Sequence, residues 1–174
     1  MRYGERPRTP PRGKGDDLDF EIGFYRAIVA QAPEYVDALM LLGEACTEKG
    51  LYAEGLEVDK RLSRLRPSDP IVHYNLACSF SLSRRRKEAL DSLARSIELG
   101  YCDIAHLAAD RDLAFLRGDP EFKRLLRRLE RKVALLVSIL VCMVRLSIGP
   151  TAADRAVALD TINTLVVATM MLLG

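Results

Sequence analysis

Two side-chain pairs in the sequence are of types that bind metal ions. Cys102 and His106 are spaced i, i+4, which places two ligands on one face of a helix, whereas His73 and Cys78 are five positions apart and match a helix face poorly. A zinc site needs three or four protein ligands, and no second pair with metal spacing accompanies Cys102 and His106. The pattern favours a structural role for these residues and predicts no metal and no other cofactor.

The sequence also lacks the arrangement of groups that catalysis needs. It contains two histidines, and neither stands near a nucleophile and an acid in a recognisable pattern. A Gly-Lys pair at Gly13 and Lys14 is followed by Gly15 instead of Ser or Thr, and Arg8 occupies the first glycine position of a phosphate-binding loop. The prediction is a protein that is not an enzyme and has no small-molecule substrate.

Composition limits the class of partner. The 26 basic and 24 acidic side chains give a net charge of +2, and aromatic residues make up 6% with no Trp, so nucleic acid is not a predicted partner. Residues 1–17 are rich in proline, glycine and arginine and predict a disordered basic lead-in. They contain no apolar stretch like that of a secretory signal, and the four cysteines form no close pair, so reduced thiols in a cytoplasmic compartment are expected.

From Leu18 onwards the sequence is helical in pattern and repeats itself. Residues 36–69 and 70–103 align when one is shifted by 34 positions, and Pro33 and Pro67 keep the same spacing. A fixed period of this size indicates stacked pairs of helices. Small residues recur where the two helices of a pair would cross, because only a small side chain permits close approach. The matched positions are Leu42 with Leu76, Gly43 with Ala77, Cys46 with Phe80, Gly55 with Ala89, and Leu56 with Leu90.

These positions resemble the tetratricopeptide repeat. The resemblance implies an all-α fold for residues 18–128, a short solenoid of helical hairpins, in which Phe20–Pro33 is the last helix of an earlier repeat. Asp59 departs from the apolar residue usual at its position, so its repeat is expected to pack less well. Residues 101–128 are predicted to cap the array, with Asp119 as an N-cap and Pro120 as the first residue of the capping helix.

In that family the first helix of each pair lines a concave, protein-binding surface, so the resemblance implies a protein–protein interaction module. Members that bind chaperones hold a terminal carboxylate with Lys and Asn; Asn75 matches one such Asn, but Met40 and Glu44 replace the other groups. The predicted partner is instead an extended or helical peptide with apolar and basic character. The predicted concave surface comprises Asp37, Met40, Glu44, Glu48, Ile71, Tyr74, Asn75, Cys78 and Ser81.

Residues 129–174 form a separate, hydrophobic segment. The capping helix is uninterrupted by Gly or Pro up to Ile148, Gly149 and Pro150 break it, and a second helix is predicted from Ala152 to Leu173. The apolar stretch of residues 133–148 would span ~24 Å, short of the ~30 Å thickness of a bilayer core. Two such helices together nevertheless predict a transmembrane hairpin, and the basic residues before it favour the cytoplasmic side.

Polar residues recur on the second predicted helix of this hairpin. Asp160, Asn163 and Thr164 share one face at i, i+3 and i+4. A carboxylate inside a membrane is costly and normally faces protein or water. The face is therefore expected either to contact another membrane subunit or to lie at the level of the lipid headgroups.

Residues 133–174 also resemble the small F subunit of the multisubunit cation/proton antiporters, with that family's third membrane helix missing. The matching residues are Gly149, Pro150, Asp154, Arg155, Ala158, Leu159 and Asp160. The resemblance implies a small membrane component of a sodium/proton antiporter that has no activity by itself.

Three interpretations of the whole chain follow. In the first, a tetratricopeptide adaptor in the cytoplasm is anchored to the cell membrane by the hairpin. In the second, the chain is wholly soluble, and the hydrophobic tail packs on the array or forms a homodimer. In the third, the chain is an accessory subunit of an antiporter.

Overall fold

The computed structural model describes the backbone of residues 14–148 and 152–173 and the side-chain surroundings of residues 17–148 and 156–167. The described residues form helices and no strand, so the predicted all-α fold is confirmed. The helices are α1 (Lys14–Gln31), α2 (Val36–Lys49), α3 (Tyr52–Leu65), α4 (Pro70–Leu82), α5 (Arg86–Glu98), α6 (Ile104–Ala109), a 3₁₀ turn (Ala114–Leu116), α7 (Pro120–Ile148) and α8 (Ala152–Leu173).

The chain divides into two compact units. Unit 1 comprises the residues up to Tyr101 together with Asp110–Arg117. Unit 2 comprises Cys102–Ala109 and the residues from Gly118 onwards. The repeat array, α1 to α5, therefore lies in unit 1, and α6, α7 and α8 lie in unit 2.

Unit 1 is a row of antiparallel helix pairs. Helix α2 packs on α3 and α4 packs on α5 within the two repeats, while α1 packs on α2 and α3 packs on α4 between neighbours. One apolar core joins α1, α2, α3 and α4. Its buried members are Ile22, Leu39, Leu42, Ala45, Cys46, Val58, Leu62 and Val72.

The helix ends follow from local sequence chemistry. Gly50 has φ +80°, a left-handed conformation that ends α2, and its N–H donates to the carbonyls of Cys46 and Thr47. Asp69 is the N-cap of α4: its side chain accepts a hydrogen bond from the backbone N–H of Ile71 at 2.9 Å, and Pro70, the first residue of the helix, has no N–H to satisfy.

The predicted helix of an earlier repeat is present and longer than expected. Helix α1 begins at Lys14, so the predicted disordered lead-in of residues 1–17 is wrong for its last four positions, where the backbone is helical. Residues 1–13 lie outside the described residues. Two ion pairs join α1 to the first repeat, Arg26 with Glu54 at 2.5 Å and Lys49 with Asp19.

Unit 2 is dominated by one long helix and its antiparallel neighbour. The backbone N–H of Glu121 donates to Asp119 at 2.7 Å, which confirms Asp119 as the cap of α7. Helix α7 continues without a break for 29 residues to Ile148, as the absence of Gly and Pro predicts. Helix α8 packs against it and has the predicted bounds.

The prediction of a transmembrane hairpin finds no support in the described part of the chain. Within it, no helix combines the length and the apolar character needed to cross a membrane. In α7 the uncharged stretch runs for 12 residues between Lys132 and Arg145, and such a stretch spans ~18 Å against a bilayer core of ~30 Å. In α8, Asp160 interrupts the apolar pattern and is exposed.

Candidate protein-binding surface

Helix α2 has two faces of opposite character. Its inner face is buried against α1 and α3, with Leu39 fully buried and Leu42 3% exposed. Its outer face, here called the α2 face, is exposed along the whole helix. The α2 face consists of Asp37, Met40, Leu41, Glu44 and Glu48.

The α2 face combines apolar and acidic side chains. Met40 is 36% exposed and Leu41 is 44% exposed. Glu44 and Glu48 lie one turn apart on the same face, and with Asp37 they make no ion pair with any described residue. Four of these residues belong to the predicted concave surface; Leu41 was missed, although its position four residues after Asp37 places it on the same face.

The predicted surface residues of α4 are placed differently. Ile71 is 45% exposed and Asn75 is half-buried, but Tyr74, Cys78 and Ser81 are buried. The prediction that these three side chains line an open surface is therefore corrected. The physical reason is that another segment of the same unit, Asp110–Arg117, occupies this side of α4.

Asp110 fastens that covering segment to α4. The Tyr74 hydroxyl donates a hydrogen bond to Oδ2 of Asp110, and the Cys78 thiol donates to the same oxygen at 3.6 Å. The other carboxylate oxygen, Oδ1, accepts from the backbone N–H of Asp112 at 2.9 Å. Arg117 donates to the Asp110 carbonyl, also at 2.9 Å. The Asp110 carboxylate thus contacts α4 through one oxygen and its own segment through the other.

Apolar contacts complete the cover. The ring of Tyr101 stacks on that of Tyr74 with centroids 4.5 Å apart. Leu113 and Leu116 are fully buried. Two fully buried leucines contribute several kcal/mol of apolar burial, at about 2 kcal/mol each. The segment Asp110–Arg117 is consequently part of the packed core of unit 1.

The two donors to Asp110 remain protonated across the physiological range. Burial raises the pKa of Tyr74 above its usual range, and the hydrogen bond to Asp110 adds to the effect. Burial likewise raises the pKa of the Cys78 thiol, with further contributions from the charges of Asp110 and Asp112. Cys78 is therefore a neutral packing residue and hydrogen-bond donor, with little of the thiolate character that nucleophilic or redox chemistry needs.

Asp59 lies buried at the junction of the two repeats. It is 5% exposed, and its Oδ2 accepts a hydrogen bond from Ser79 of α4 at 2.5 Å. Burial raises the pKa of the Asp59 carboxyl to about 6, against a smaller lowering by the Ser79 hydrogen bond. The sequence marked Asp59 as unusual for its position, but the Ser79 partner was not predicted.

The other side chains that the sequence analysis singled out do not form a further site among the described residues. Cys102 is exposed and so is His106, and the part of the chain that the structure describes contains no group of three or more metal-binding side chains. Asp160, Asn163 and Thr164 are all exposed on α8. Gly149 and Pro150 lie outside the described residues, as do the side chains of Asp154 and Arg155.

Comparison by sequence gives limited information. No family model matches the chain. The resemblance of residues 133–174 to an antiporter component thus finds no support. A curated relative, a chloroplastic protein of Arabidopsis thaliana, is 28% identical over 87 residues, which are 48% of this chain and 26% of the relative. The chain therefore spans about a quarter of that protein's length.

Comparison by structure is more informative. The crystal structure of MamA, a TPR-like helical repeat protein, superposes with a TM-score of 0.57 at 17% sequence identity. The match covers 90% of this chain and 95% of MamA. At this identity the likeness concerns the fold alone. The chain accordingly has a tetratricopeptide-like helical repeat fold.

Proposed function

We propose that this chain is a protein-interaction module whose α2 face binds a helical or extended segment of a partner protein, one that carries apolar and basic side chains. The repeat fold supports an interaction role, because arrays of this kind present a helix-lined surface to partners. Four residues of the α2 face belong to the predicted concave surface and are exposed, whereas Tyr74, Cys78 and Ser81 of α4 are buried.

The observation that carries the proposal is the unfavourable electrostatics of α2. Glu44 and Glu48 are like charges at i, i+4, an arrangement that destabilises a helix. Glu48 also lies in the last turn, where the negative end of the helix dipole disfavours a carboxylate. The cation of that turn, Lys49, is paired with Asp19 of α1. A partner with Lys or Arg side chains relieves this repulsion, and its apolar side chains cover Met40 and Leu41.

Direct binding of designed peptides tests the proposal. The probe is a fluorescein-labelled amphipathic peptide as long as α2, 14 residues, built from Leu and Lys, and its counterpart has Glu in place of Lys. Fluorescence anisotropy with the full chain should show binding of the Lys peptide and none of the Glu peptide. The Glu44→Lys variant should weaken binding by up to roughly fivefold, since a surface charge contact is worth up to about 1 kcal/mol.

A matched control separates the α2 face from net charge. Asp91 is an exposed acidic residue on α5, and Asp91→Lys changes the net charge by the same amount. Binding unchanged in Asp91→Lys and weakened in Glu44→Lys supports the α2 face. Equal weakening in both variants would mean that the peptide responds to net charge, and the proposed surface would be abandoned.

A further inference from the structure

The hairpin of α7 and α8 has a narrow seam along which its two helices meet. On α7 the less exposed residues recur with heptad spacing, at Leu135, Ile139, Cys142 and Leu146. On α8 the corresponding residues are Ala158, which is buried, and the half-buried Ile162 and Leu165. This spacing of four and three residues is that of helices packed side by side.

The seam divides the hairpin into two sides. In an antiparallel pair of helices, the residues that directly follow a seam residue lie on one side of the pair, and those that directly precede one lie on the other. The following positions, here called the apolar side, are Leu136, Leu140, Met143, Ser147, Leu159, Asn163 and Val166. The preceding positions, here called the polar side, are Ala134, Ser138, Val141, Arg145, Val157, Thr161 and Thr164.

The apolar side is exposed in a single copy of the chain. Leu140 is 63% exposed, Leu136 57% and Leu159 50%. Among the described residues this side carries no charged group. Several large apolar side chains thus face solvent next to one another, and such a contiguous exposed patch is typical of an interaction surface.

We propose that the apolar side of the hairpin binds the apolar side of a second copy of this chain, forming a four-helix bundle related by a two-fold axis. The exposed side chains support this occupant: Leu136, Leu140, Met143, Leu159 and Val166 are 40–63% exposed, and large apolar side chains of this kind form the buried centre of stable interfaces between identical chains. A two-fold axis joins one surface to itself, so two uncharged apolar sides meet without burying an unpaired charge.

Asn163 gives the bundle its specificity. Among the described residues of the apolar side it is the one amide, it lies between Leu159 and Val166, and Ser147 is the other polar residue of that side. A single Asn in a helix-packing surface fixes register and oligomer number at some cost in stability, because its amide must find a polar partner across the interface. In the bundle that partner comes from the second copy.

Light scattering of the full chain tests the dimer. Size-exclusion chromatography with multi-angle scattering, in buffer without detergent, should give twice the chain mass of 19.4 kDa. The Leu140→Glu variant should raise the dimer dissociation constant by at least about tenfold, since association would bury an unpaired carboxylate from each copy. The matched variant Ser138→Glu, on the polar side, should remain dimeric.

Other results would overturn the proposal. They are a monomeric wild-type chain, a dimer that Leu140→Glu leaves intact, or equal loss of the dimer in both variants. Circular dichroism of each variant shows whether α7 is still helical. If the chain instead floats with phosphatidylcholine vesicles as a monomer and Leu140→Glu abolishes flotation, the apolar side binds lipid, and the dimer is rejected. Asn163→Leu separates register from affinity: it should tighten association and add species larger than a dimer. The outcome is independent of peptide binding at the α2 face.

Discussion

Asp59 is a carboxylate enclosed by helices in unit 1. Ser79 donates to one of its oxygens, and the other, Oδ1, lies where a side chain at Gly43 would stand, 3.2 Å from an ideal Cβ. Burial is the dominant influence, because one hydroxyl donor does not replace the water that a carboxylate loses. The folded state of unit 1 is therefore more stable when the Asp59 carboxyl is protonated than when it is ionised.

We predict that Asp59 lowers the stability of unit 1 as the pH rises from about 4 to about 6. Its pKa is about 6 in the folded chain against an ordinary 3.8, so the folded state binds the proton more tightly and loses stability as that proton leaves. The Asp59→Asn variant should raise the free energy of unfolding by roughly 1 to 3 kcal/mol at about pH 7.5 and make little difference at about pH 4.

Urea denaturation at both pH values measures this effect. Asp91→Asn provides the control, since Asp91 is an exposed carboxylate on the same unit. Parallel pH profiles for the wild type and Asp59→Asn would contradict the prediction.

At the scale of residues, the sequence shows which positions are unusual or lie on a given helix, but it does not show which distant residues contact them. The 34-residue alignment marks Asp59 as unusual, but it contains no information on which residue from the next repeat reaches it. Tyr74 and Cys78 likewise belong to the first helix of their pair, as predicted. Their burial depends on Asp110, which lies 36 and 32 positions away, in a stretch with no helical period.

At the scale of elements, α2 and α3 cross at two small residues that are not equivalent. A Cβ at Gly43 would meet Asp59 at 3.2 Å and Val58 at 3.5 Å. A Cβ at Gly55 would find its nearest neighbours at 3.5 and 3.6 Å, an ordinary contact distance. The crossing is therefore tighter at the glycine of α2 than at the glycine of α3, where the space accommodates alanine.

We predict that Gly55→Ala stabilises unit 1 and Gly43→Ala does not. Alanine is favoured over glycine inside a helix by about 1 kcal/mol, and at Gly55 that gain is not offset by a clash. At Gly43 the added methyl presses on Asp59, whose position is fixed by Ser79. Chemical denaturation of the two variants side by side is the measurement, and each serves as the control for the other. An equal gain in both would show that the Asp59 contact gives way easily.

Some helix bounds are predictable from the local sequence, although the start of α1 was not. Gly50, Pro70, Asp119 and Pro120 each act locally, through a left-handed φ, a missing N–H or a capping carboxylate, and the structure follows them. The covering segment Asp110–Arg117 could not be predicted in the same way. It is stabilised by contacts with α4 and Tyr101, which exist only in the folded unit.

At the scale of the whole molecule, the helices of unit 1 differ in how many of their side chains are buried. Helix α4 buries eight side chains. Among the described side chains of α1, Ile22 is the one that is buried. Phe20 and Phe24 of α1 stack on each other in solvent, 61% and 52% exposed. In a repeat array each helix pair is stabilised by its neighbours, so an end helix opens at lower free energy than a central one.

We predict that the backbone amides of α1 exchange with solvent hydrogen faster than those of α4. Arg26→Ala removes the inter-helix pair with Glu54 and should accelerate exchange in α1 further. Arg95→Ala removes a pair with Glu98 inside α5 and should leave α1 unchanged. Hydrogen–deuterium exchange with mass spectrometry resolves the helices. Protection of α1 equal to that of α4 would show that the array unfolds as one cooperative block.

The all-α repeat fold could be predicted from the sequence, but the environment of the C-terminal apolar helices could not. Helical periodicity alone identifies the repeats and the two long C-terminal helices. An apolar helix has the same composition whether it faces lipid, a second copy or its own chain, so the sequence left these alternatives open. In the described residues the charges at Lys132, Arg145 and Asp160 interrupt each apolar run.

The segment Asp110–Arg117 has a consequence for how this array could change in length. Duplication lengthens repeat proteins by inserting whole 34-residue units. After α5, a new unit would have to displace Asp110 from Tyr74 and expose Leu113 and Leu116. Between α1 and α2, a new unit needs only surfaces that each repeat already presents to the next. The structure therefore accommodates an additional repeat between α1 and α2, whereas an additional repeat after α5 would disrupt the contacts of Asp110–Arg117.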